Sequence, residues 1–159
     1  MEVIKQLKTV LPEQLIQQNE MMSKHTSFRI GGIADIYISP QNSEQIKNVI
    51  TIAKQYNIPV MIIGNGSNLL VSDKGIRGIV IQTANNMNEI VTKGETIKAE
   101  SGALLSAIGA EALKHSLKGF SFASGIPGSL GGVVCMMEGE DGESSDERAF
   151  GKKSVWARM

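Results

Sequence analysis

The sequence contains few of the residues that mark disulfide, metal or aromatic-rich sites. Its 159 residues include one cysteine and two histidines. A single cysteine excludes an intrachain disulfide, and so few Cys and His residues argue against a zinc site. Aromatic residues are limited to one Trp, two Tyr and four Phe. A folded core must therefore consist mainly of Ile, Leu, Val and Met side chains.

An excess of charge of either sign is also absent. Sixteen basic side chains balance sixteen acidic ones and no long basic run occurs, so the sequence gives no electrostatic footprint for nucleic acid or an anionic membrane. The longest apolar runs, such as residues 133–137, are too short to cross a bilayer. The N-terminal residues mix charges among apolar positions, unlike a secretory signal. We therefore expect a cytoplasmic globular protein without nucleic-acid or membrane partners.

The N-terminal part carries the pattern of a β-α-β unit preceded by helix. Apolar residues at helical spacing over 2–19, interrupted by Pro12, predict one or two short amphipathic helices. Residues 34–39 alternate as a strand does, and Ser43 is placed to cap the helix that follows. Residues 60–63 are all apolar and predict a fully buried strand. We expect the two strands to be parallel and joined by a right-handed crossover.

Short strands and one helix are predicted beyond residue 64. The apolar runs that favour strands are 69–71, 79–81, 90–91 and 97–100. Lys93-Gly94-Glu95 has the composition of a hairpin turn between the last two of these. Residues 104–115 predict a helix whose apolar face comprises Leu104, Leu105, Ile108, Ala112 and Leu113. The chain is therefore expected to be α/β followed by α+β, in two small layered halves.

Two uncharged, glycine-rich segments are the candidate binding loops. They read Gly64-Asn65-Gly66-Ser67-Asn68-Leu69-Leu70 and Ser124-Gly125-Ile126-Pro127-Gly128-Ser129-Leu130-Gly131-Gly132. Converging backbone N–H groups bind phosphate, and the first segment follows the strand 60–63 at the end where ligands bind in α/β sheets. Neither segment matches the Walker A or the Rossmann pattern. Either segment alone is typical of a turn between strands, whereas the two together favour a nucleotide held by backbone atoms.

Three motifs resemble those of one family. Residues 26–35 (TSFRIGGIAD), 63–71 (IGNGSNLLV) and 125–132 (GIPGSLGG) strongly resemble the MurB family, the UDP-N-acetylenolpyruvoylglucosamine reductases of bacterial peptidoglycan synthesis. Their order and approximate spacing also fit, and the resemblance covers about residues 1–136. It implies an α+β FAD-binding fold of the vanillyl-alcohol-oxidase (PCMH) type, with FAD between two small α/β subdomains.

The resemblance also implies subdomains, a cofactor and a reaction. We place the first FAD-binding subdomain at residues 1–83, a partial second subdomain at 84–137, and a divergent tail, expected to be disordered, at 138–159. Members of the family transfer hydride from NADPH to the flavin and then to the enolpyruvyl double bond of UDP-N-acetylglucosamine enolpyruvate, which gives UDP-N-acetylmuramate. NADPH and that substrate are implied as partners only for full-length members.

FAD contacts are implied on both loops. The first loop would hold the FAD pyrophosphate and the adjoining ribityl chain, the second would run beside the flavin, and residues 26–32 would support the first subdomain. The cofactor-binding residues that the resemblance implies are Gly64, Asn65, Gly66, Ser67, Asn68, Leu69, Ser124, Gly125, Ile126, Pro127, Gly128, Gly131 and Gly132.

The sequence leaves the family pattern after Met136. Six carboxylates lie between Glu138 and Glu147. The substrate-binding C-terminal domain of the family has no counterpart, so no catalytic residue is assigned. A truncated or frame-shifted gene product and an isolated flavin-binding part both fit this pattern. We expect a FAD-binding portion that is inactive alone; a reductase homologue and an interaction module without flavin are the alternatives.

The isolated His and Cys residues have structural interpretations. His25 and His115 are predicted to be solvated or capping residues rather than ligands, because no partner residues accompany them. Cys135 lies in an apolar run and is predicted to be a small buried side chain.

Overall fold

A computed structural model describes residues 2–141 and 156–158 of the chain, with side chains described for 2–136. The chain divides into two units, Met1–Asn86 and Met87–Met159. Each unit has its own sheet and its own hydrophobic core. The sequence prediction placed the boundary between the two halves after residue 83.

The first unit is built on a four-stranded sheet. Its elements, in chain order, are α1 (Glu2–Val10), a 3₁₀-helix (Glu13–Leu15), β1 (Ile16–Met21), a second 3₁₀-helix (Met22–Lys24), β2 (Ile33–Ile38), α2 (Ser43–Gln55), β3 (Val60–Ile63) and β4 (Ile76–Gln82). The strand order is β1-β2-β4-β3, in which β1 is antiparallel to β2 and the other three strands are parallel. The carboxyl ends of the three parallel strands therefore lie at the same end of the sheet.

The N-terminal segment contains one α-helix and a strand. α1 ends at Val10, before Pro12, as the prediction of one or two short helices allowed. Pro12 precedes only the short 3₁₀-helix Glu13–Leu15, because Ile16–Met21 form β1. Pairs such as Gln17 with Tyr37 place β1 along an edge of β2. Backbone pairing with this edge outweighs the helical spacing of the apolar residues.

The β-α-β unit has the predicted elements, but its two strands are not neighbours. β2 and β3 are parallel, and β4 lies between them. β3 is consequently an edge strand, and the prediction that it is fully buried is wrong. Met61 and Ile62 are 37% and 53% exposed, and Ile63 is the buried residue of the strand. Residues 69–71, which were predicted to be a strand, lie in a loop.

α2 begins at Ser43 and buries one apolar stripe. Its N-cap is Asn42 rather than the predicted Ser43, because Asn42 Oδ1 accepts a hydrogen bond from the Gln45 N–H at 2.9 Å. The stripe follows the predicted period and buries Val49, Ile52 and Ala53.

Apolar side chains cover both faces of the first sheet. The face that packs on α1 and α2 buries Ile4, Leu7, Leu11, Ile36, Ile38, Val49, Ile52, Ala53, Ile79 and Ile81. A second core consists of Met22, Ala34, Tyr37, Ile63, Val71 and Val80. Tyr37 and Val80 alternate with the residues of the first core along their strands, so they point to the opposite face. This second core contains residues that flank the first glycine-rich loop.

The second unit, within the described residues, combines a three-stranded sheet with helices. Its elements are β5 (Ile90–Lys93), β6 (Thr96–Glu100), α3 (Leu105–Lys114), α4 (Leu130–Asp141) and β7 (Trp156–Arg158). β5 and β6 form the predicted antiparallel hairpin, whose turn contains Gly94 at φ +59°. β7 is parallel to β6. The core buries Ile97, Ala99, Ala103, Leu105, Ile108, Ala112, Phe120, Ala123 and Leu130.

α3 covers this core with three of its five predicted apolar residues. Leu105, Ile108 and Ala112 are buried, but Leu104 and Leu113 are 40% and 79% exposed, so their placement on the buried face is wrong. Leu104 precedes the helix as its N-cap and pairs by its backbone with Ser129. Leu113 follows Ala112 by one position, which rotates it about 100° around the helix and away from the core.

α4 begins within the second glycine-rich segment. Val133 and Val134 are half-buried and pack against the core, whereas Cys135 and Met136 are exposed. The prediction that Cys135 is buried is wrong, because the helix turns the two valines rather than the cysteine toward the core.

Part of the predicted tail, 138–159, has secondary structure. α4 continues through Asp141, and Trp156–Arg158 pair with β6 through positions such as Ala157 opposite Ala99. The expectation of disorder is wrong for these residues, because helix propagation and strand pairing satisfy their backbone groups. The rest of the tail lies outside the described residues.

Candidate functional site

The first glycine-rich loop, residues 64–70, follows β3 at the carboxyl end of the parallel strands. Ligands of open α/β sheets bind at this end. Asn65 and Asn68 are exposed, Gly64, Ser67 and Leu69 are half-buried, and Leu70 is 70% exposed. The loop is therefore accessible to a ligand along most of its length.

Gly66 is the buried residue of this loop and must be glycine for two reasons. Its φ is +67°, in the left-handed region, and a Cβ atom there would overlap the carbonyl oxygen of His25. The Gly66 carbonyl accepts a hydrogen bond from the Ser27 N–H at 3.2 Å. The loop is thus fixed in direct backbone contact with residues 25–27.

The loop offers uncharged donors to an anion. Within the described part of the chain, the N–H groups of Gly64, Asn65 and Gly66 donate no hydrogen bond to the protein. Successive N–H groups of this kind form the concave anion sites that bind phosphate. The loop is therefore a candidate site for a diphosphate, with backbone N–H groups rather than a basic side chain as the donors.

The end of the motif at residues 26–35 packs by its backbone against residues 72–75, which follow this loop. The Gly32 N–H donates to the Ser72 carbonyl at 3.0 Å, and a Cβ atom on Gly32 would overlap the carbonyl oxygen of Asp73. A Cβ atom on Gly75 would in turn overlap the carbonyl oxygen of Ile33. A side chain is therefore excluded at Gly32 and at Gly75 by backbone carbonyl groups.

His25 lies beside this packing, in a cluster that sequence reasoning missed. Its ring stacks on Tyr37 with 4.1 Å between ring centroids, and Nε2 lies 3.0 Å from Glu20 Oε1. The side chains of His25 and Glu20 are each 15% exposed, so the prediction that His25 is solvated is wrong. His25 is, however, the C-cap of the 3₁₀-helix Met22–Lys24, in agreement with the capping alternative.

Opposing effects set the pKa of Glu20. Burial raises this pKa, but hydrogen bonds from His25 and Lys24 and the charges of both residues outweigh burial. The pKa of Glu20 is consequently lower than its ordinary value of 4.5. Glu20 therefore remains a carboxylate, and so a hydrogen-bond acceptor for His25, under neutral conditions.

A polar network lies at the carboxyl ends of β2 and β4. The Tyr37 hydroxyl donates to Gln82 Oε1, and Asn85 Nδ2 donates to the Tyr37 oxygen at 3.2 Å and to Ser39 Oγ at 3.3 Å. Burial is the main reason that the pKa of Tyr37 is raised. This network fixes Tyr37, on which His25 stacks, although its members are far apart in sequence.

The second glycine-rich segment lies in the second unit. Ser124, Gly125, Ile126 and Pro127 are exposed, Gly128 is buried, and Gly131 and Gly132 are half-buried. The Ile126 N–H donates to the Ala123 carbonyl at 3.1 Å, which tightens the turn. The exposed half of the segment is the part that a ligand can reach.

The buried half of this segment packs α4 against the protein. The N–H groups of Leu130 and Gly131 donate to the carbonyls of Ala103 and Ser101 at 2.8 and 2.7 Å. These two donors at the start of α4 are therefore already used, and cannot bind phosphate as they stand. The Ser129 hydroxyl is buried without a hydrogen-bond partner among the described residues.

The described residues lack the features of two other kinds of site. They contain no cluster of three or more His, Cys, Asp or Glu side chains that could hold a metal ion. None of their helices has the length and apolar character needed to cross a membrane.

The fold and the glycine loops match a known family. Residues 34–146 match the family described as FAD binding domain. This match covers most of the chain, which therefore belongs to that family of FAD-binding domains.

Within this family the chain is a homologue of the MurB reductases. It is 50% identical over 136 residues to UDP-N-acetylenolpyruvoylglucosamine reductase of Clostridioides difficile (strain 630), and the alignment covers 86% of this chain and 45% of the relative. The resemblance carried by the three motifs is confirmed. The chain spans less than half the length of such curated relatives.

Solved structures share the fold. MurB from Thermus caldophilus matches with a TM-score of 0.58 and 29% identity, over 72% of this chain and 40% of that protein. p-Cresol methylhydroxylase matches with a TM-score of 0.56 and 15% identity, over 73% of this chain and 25% of that protein. The predicted α+β FAD-binding fold of the PCMH type is confirmed, over part of the length of these proteins.

Proposed function

We propose that this chain is the FAD-binding portion of a UDP-N-acetylmuramate dehydrogenase (UDP-N-acetylenolpyruvoylglucosamine reductase) of peptidoglycan biosynthesis. The observation that carries the proposal is the 50% identity to such a reductase. The family match over residues 34–146 includes both glycine-rich loops. In this proposal the protein is cytoplasmic and binds FAD. NADPH and UDP-N-acetylglucosamine enolpyruvate are used only by the longer members of the family.

The first loop is assigned to the diphosphate of FAD. The N–H groups of Gly64, Asn65 and Gly66 are available as donors, and Ser67, Asn68 and Leu69 complete the loop. Backbone contact with His25 and Ser27 prepares the loop before the cofactor binds, which lowers the entropy lost on binding.

The second segment is assigned to the flavin end of FAD. Ser124, Gly125, Ile126 and Pro127 are exposed, and a Cβ atom on Gly125 would have no neighbour within 4 Å, so a flat ring can approach the backbone there. Gly128, Gly131 and Gly132 shape the junction with α4. Bound FAD would supply two-electron redox chemistry, while these residues bind and orient it.

The proposal predicts that the chain binds FAD but does not turn over. Purified protein titrated with FAD should quench flavin fluorescence, and FAD at about 100 times its Kd should stabilise the protein by about 2.7 kcal/mol. NADPH oxidation that depends on the enolpyruvyl substrate should be absent. A colourless protein whose melting temperature does not change across the titration would refute FAD binding, and substrate-dependent NADPH oxidation would refute the lack of turnover.

A non-catalytic FAD-binding role is the second candidate. The family that matches residues 34–146 is described as a FAD binding domain, a description that supports flavin binding and names no reaction. The experiment adds a separately produced C-terminal part of the Clostridioides difficile relative to the chain. If the chain binds FAD and this addition restores reductase activity, the chain is the FAD-binding portion of a reductase. FAD binding without such restoration would favour the non-catalytic module.

A further inference from the structure

His25 links the first glycine-rich loop to the sheet of the first unit. Its carbonyl oxygen occupies the position that a Cβ atom of Gly66 would need, so the path of the backbone at His25 decides where Gly66 can lie. The neighbouring Ser27 N–H donates to the Gly66 carbonyl at 3.2 Å. A displacement of the backbone at residue 25 would therefore displace the loop.

The side chain of His25 is held from two strands. Glu20 on β1 accepts a hydrogen bond from Nε2 at 3.0 Å, and Tyr37 on β2 stacks on the ring. Tyr37 is fully buried and its hydroxyl is held by Gln82 and Asn85. Both contacts thus come from parts of the sheet that pairing and burial make rigid.

We propose that His25 is a positioning residue for the loop at residues 64–70, because its ring, held between Glu20 and Tyr37, fixes the carbonyl against which Gly66 packs. The consequence for cofactor affinity rests on the proposed function of the loop in FAD binding. The effect on the loop itself is independent of that function.

The charged and titratable groups around His25 come from three elements. Glu20 lies on β1, Lys24 on the preceding 3₁₀-helix at 3.3 Å from Glu20 Oε1, and the Tyr37 hydroxyl on β2. Lys24 is exposed, and its ammonium group contacts Glu20, the side-chain partner of His25. Removal of the imidazole therefore leaves Glu20 paired with Lys24 and removes the hydrogen bond that joins Glu20 to the side chain of residue 25.

The chain supplies a matched control in its second histidine. His115 Nε2 lies 2.9 Å from Glu111 Oε1, which is the same kind of pair, but His115 is the exposed C-cap of α3 in the second unit. His25→Leu removes the hydrogen bond and keeps an apolar side chain on Tyr37. His25→Gln keeps a donor for Glu20, and His115→Leu removes the control pair.

The experiment measures hydrogen–deuterium exchange of peptides covering residues 64–70, first without FAD, and then the Kd for FAD. In His25→Leu the loop amides should exchange about tenfold faster and the Kd should rise about tenfold, which is the effect expected for one charge-assisted hydrogen bond. His25→Gln should restore most of both values, and His115→Leu should leave both unchanged. If His25→Leu does not fold, Glu20→Ala removes the same hydrogen bond while the ring stays on Tyr37.

The two measurements separate the possible failures. Unchanged loop exchange in a folded His25→Leu or Glu20→Ala protein would overturn the proposal. Faster exchange with an unchanged Kd would overturn the role of His25 toward FAD. If the unsubstituted protein binds no FAD, the proposed function of the loop fails, and the exchange data still decide whether His25 positions it.

Discussion

The carbonyl oxygen of His25 lies where a side chain on Gly66 would begin. This contact joins two segments that are about forty residues apart and makes the shape of the candidate diphosphate loop depend on the segment before β2. The loop is thus defined by its neighbours as much as by its own residues.

Replacement of Gly66 by Val should abolish FAD retention. A β-branched residue at φ +67° is strained by about 1–3 kcal/mol, and its Cβ would also overlap the His25 carbonyl. Flavin absorbance after gel filtration and urea unfolding measure the two effects. Gly94→Val is the control, because Gly94 has a similar φ of +59° but open space around it. A Gly66→Val protein that keeps its flavin would contradict the assigned loop.

Gly32→Ala should destabilise the first unit even without a cofactor. The added methyl group would overlap the Asp73 carbonyl, and overpacking of this kind costs about 1–3 kcal/mol. Urea unfolding of the apo-protein measures the loss. Gly125→Ala should be nearly neutral, because nothing lies within 4 Å of that position; equal losses in the two variants would show that the backbone contact at Gly32 is not the cause.

Acidification should weaken the first unit through Glu20. The pKa of Glu20 in the folded protein is below its ordinary value of 4.5, so its contribution to stability is complete above that pH and is lost as the pH falls through the folded-state pKa. The free energy of unfolding, followed by urea titration between neutral and acidic pH, should therefore decline less steeply in Glu20→Gln. Glu95→Gln, in the exposed hairpin turn, should keep the original pH dependence. Identical slopes in both variants would rule out Glu20 as the source.

Two leucines of α3 should respond very differently to truncation. Leu105 is fully buried, and its replacement by Ala should cost about 2–5 kcal/mol because a cavity remains. Leu113 is 79% exposed, and Leu113→Ala should change stability by less than about 0.5 kcal/mol. Thermal or urea unfolding of both variants measures this contrast. Comparable losses would mean that α3 buries the other face.

Local patterns were sufficient to predict much of the fold. Alternation and turn composition identified the hairpin of β5 and β6, and apolar periodicity identified α2 and most of α3. The glycine-rich loops were also identified from composition and family motifs, and the first loop lies directly after β3 as predicted. Each of these features depends mainly on residues close together in the chain.

The cluster around His25 could not be predicted in the same way. The apolar residues up to Ile16 have helical spacing, and only pairing with β2 makes residues 16–21 a strand that brings Glu20 toward Tyr37. If residues 16–19 were helical, as predicted, neither Glu20 nor Tyr37 would be expected beside His25. The sequence analysis therefore interprets His25 as solvated. The edge position of β3 was missed for a similar reason, since the insertion of β4 between β2 and β3 is a long-range event.

The close backbone packing at the glycines of the first unit also limits which substitutions a related protein can accept. Gly32 leaves room for the carbonyl group of Asp73, and Gly66 leaves room for the carbonyl group of His25. These contacts join two distant segments, and neither glycine has a side chain that could adjust to a change in the other segment. A substitution in one segment is therefore tolerated only after a matching shift in the other. Among descendants of a common ancestor, the two segments should change together or not at all.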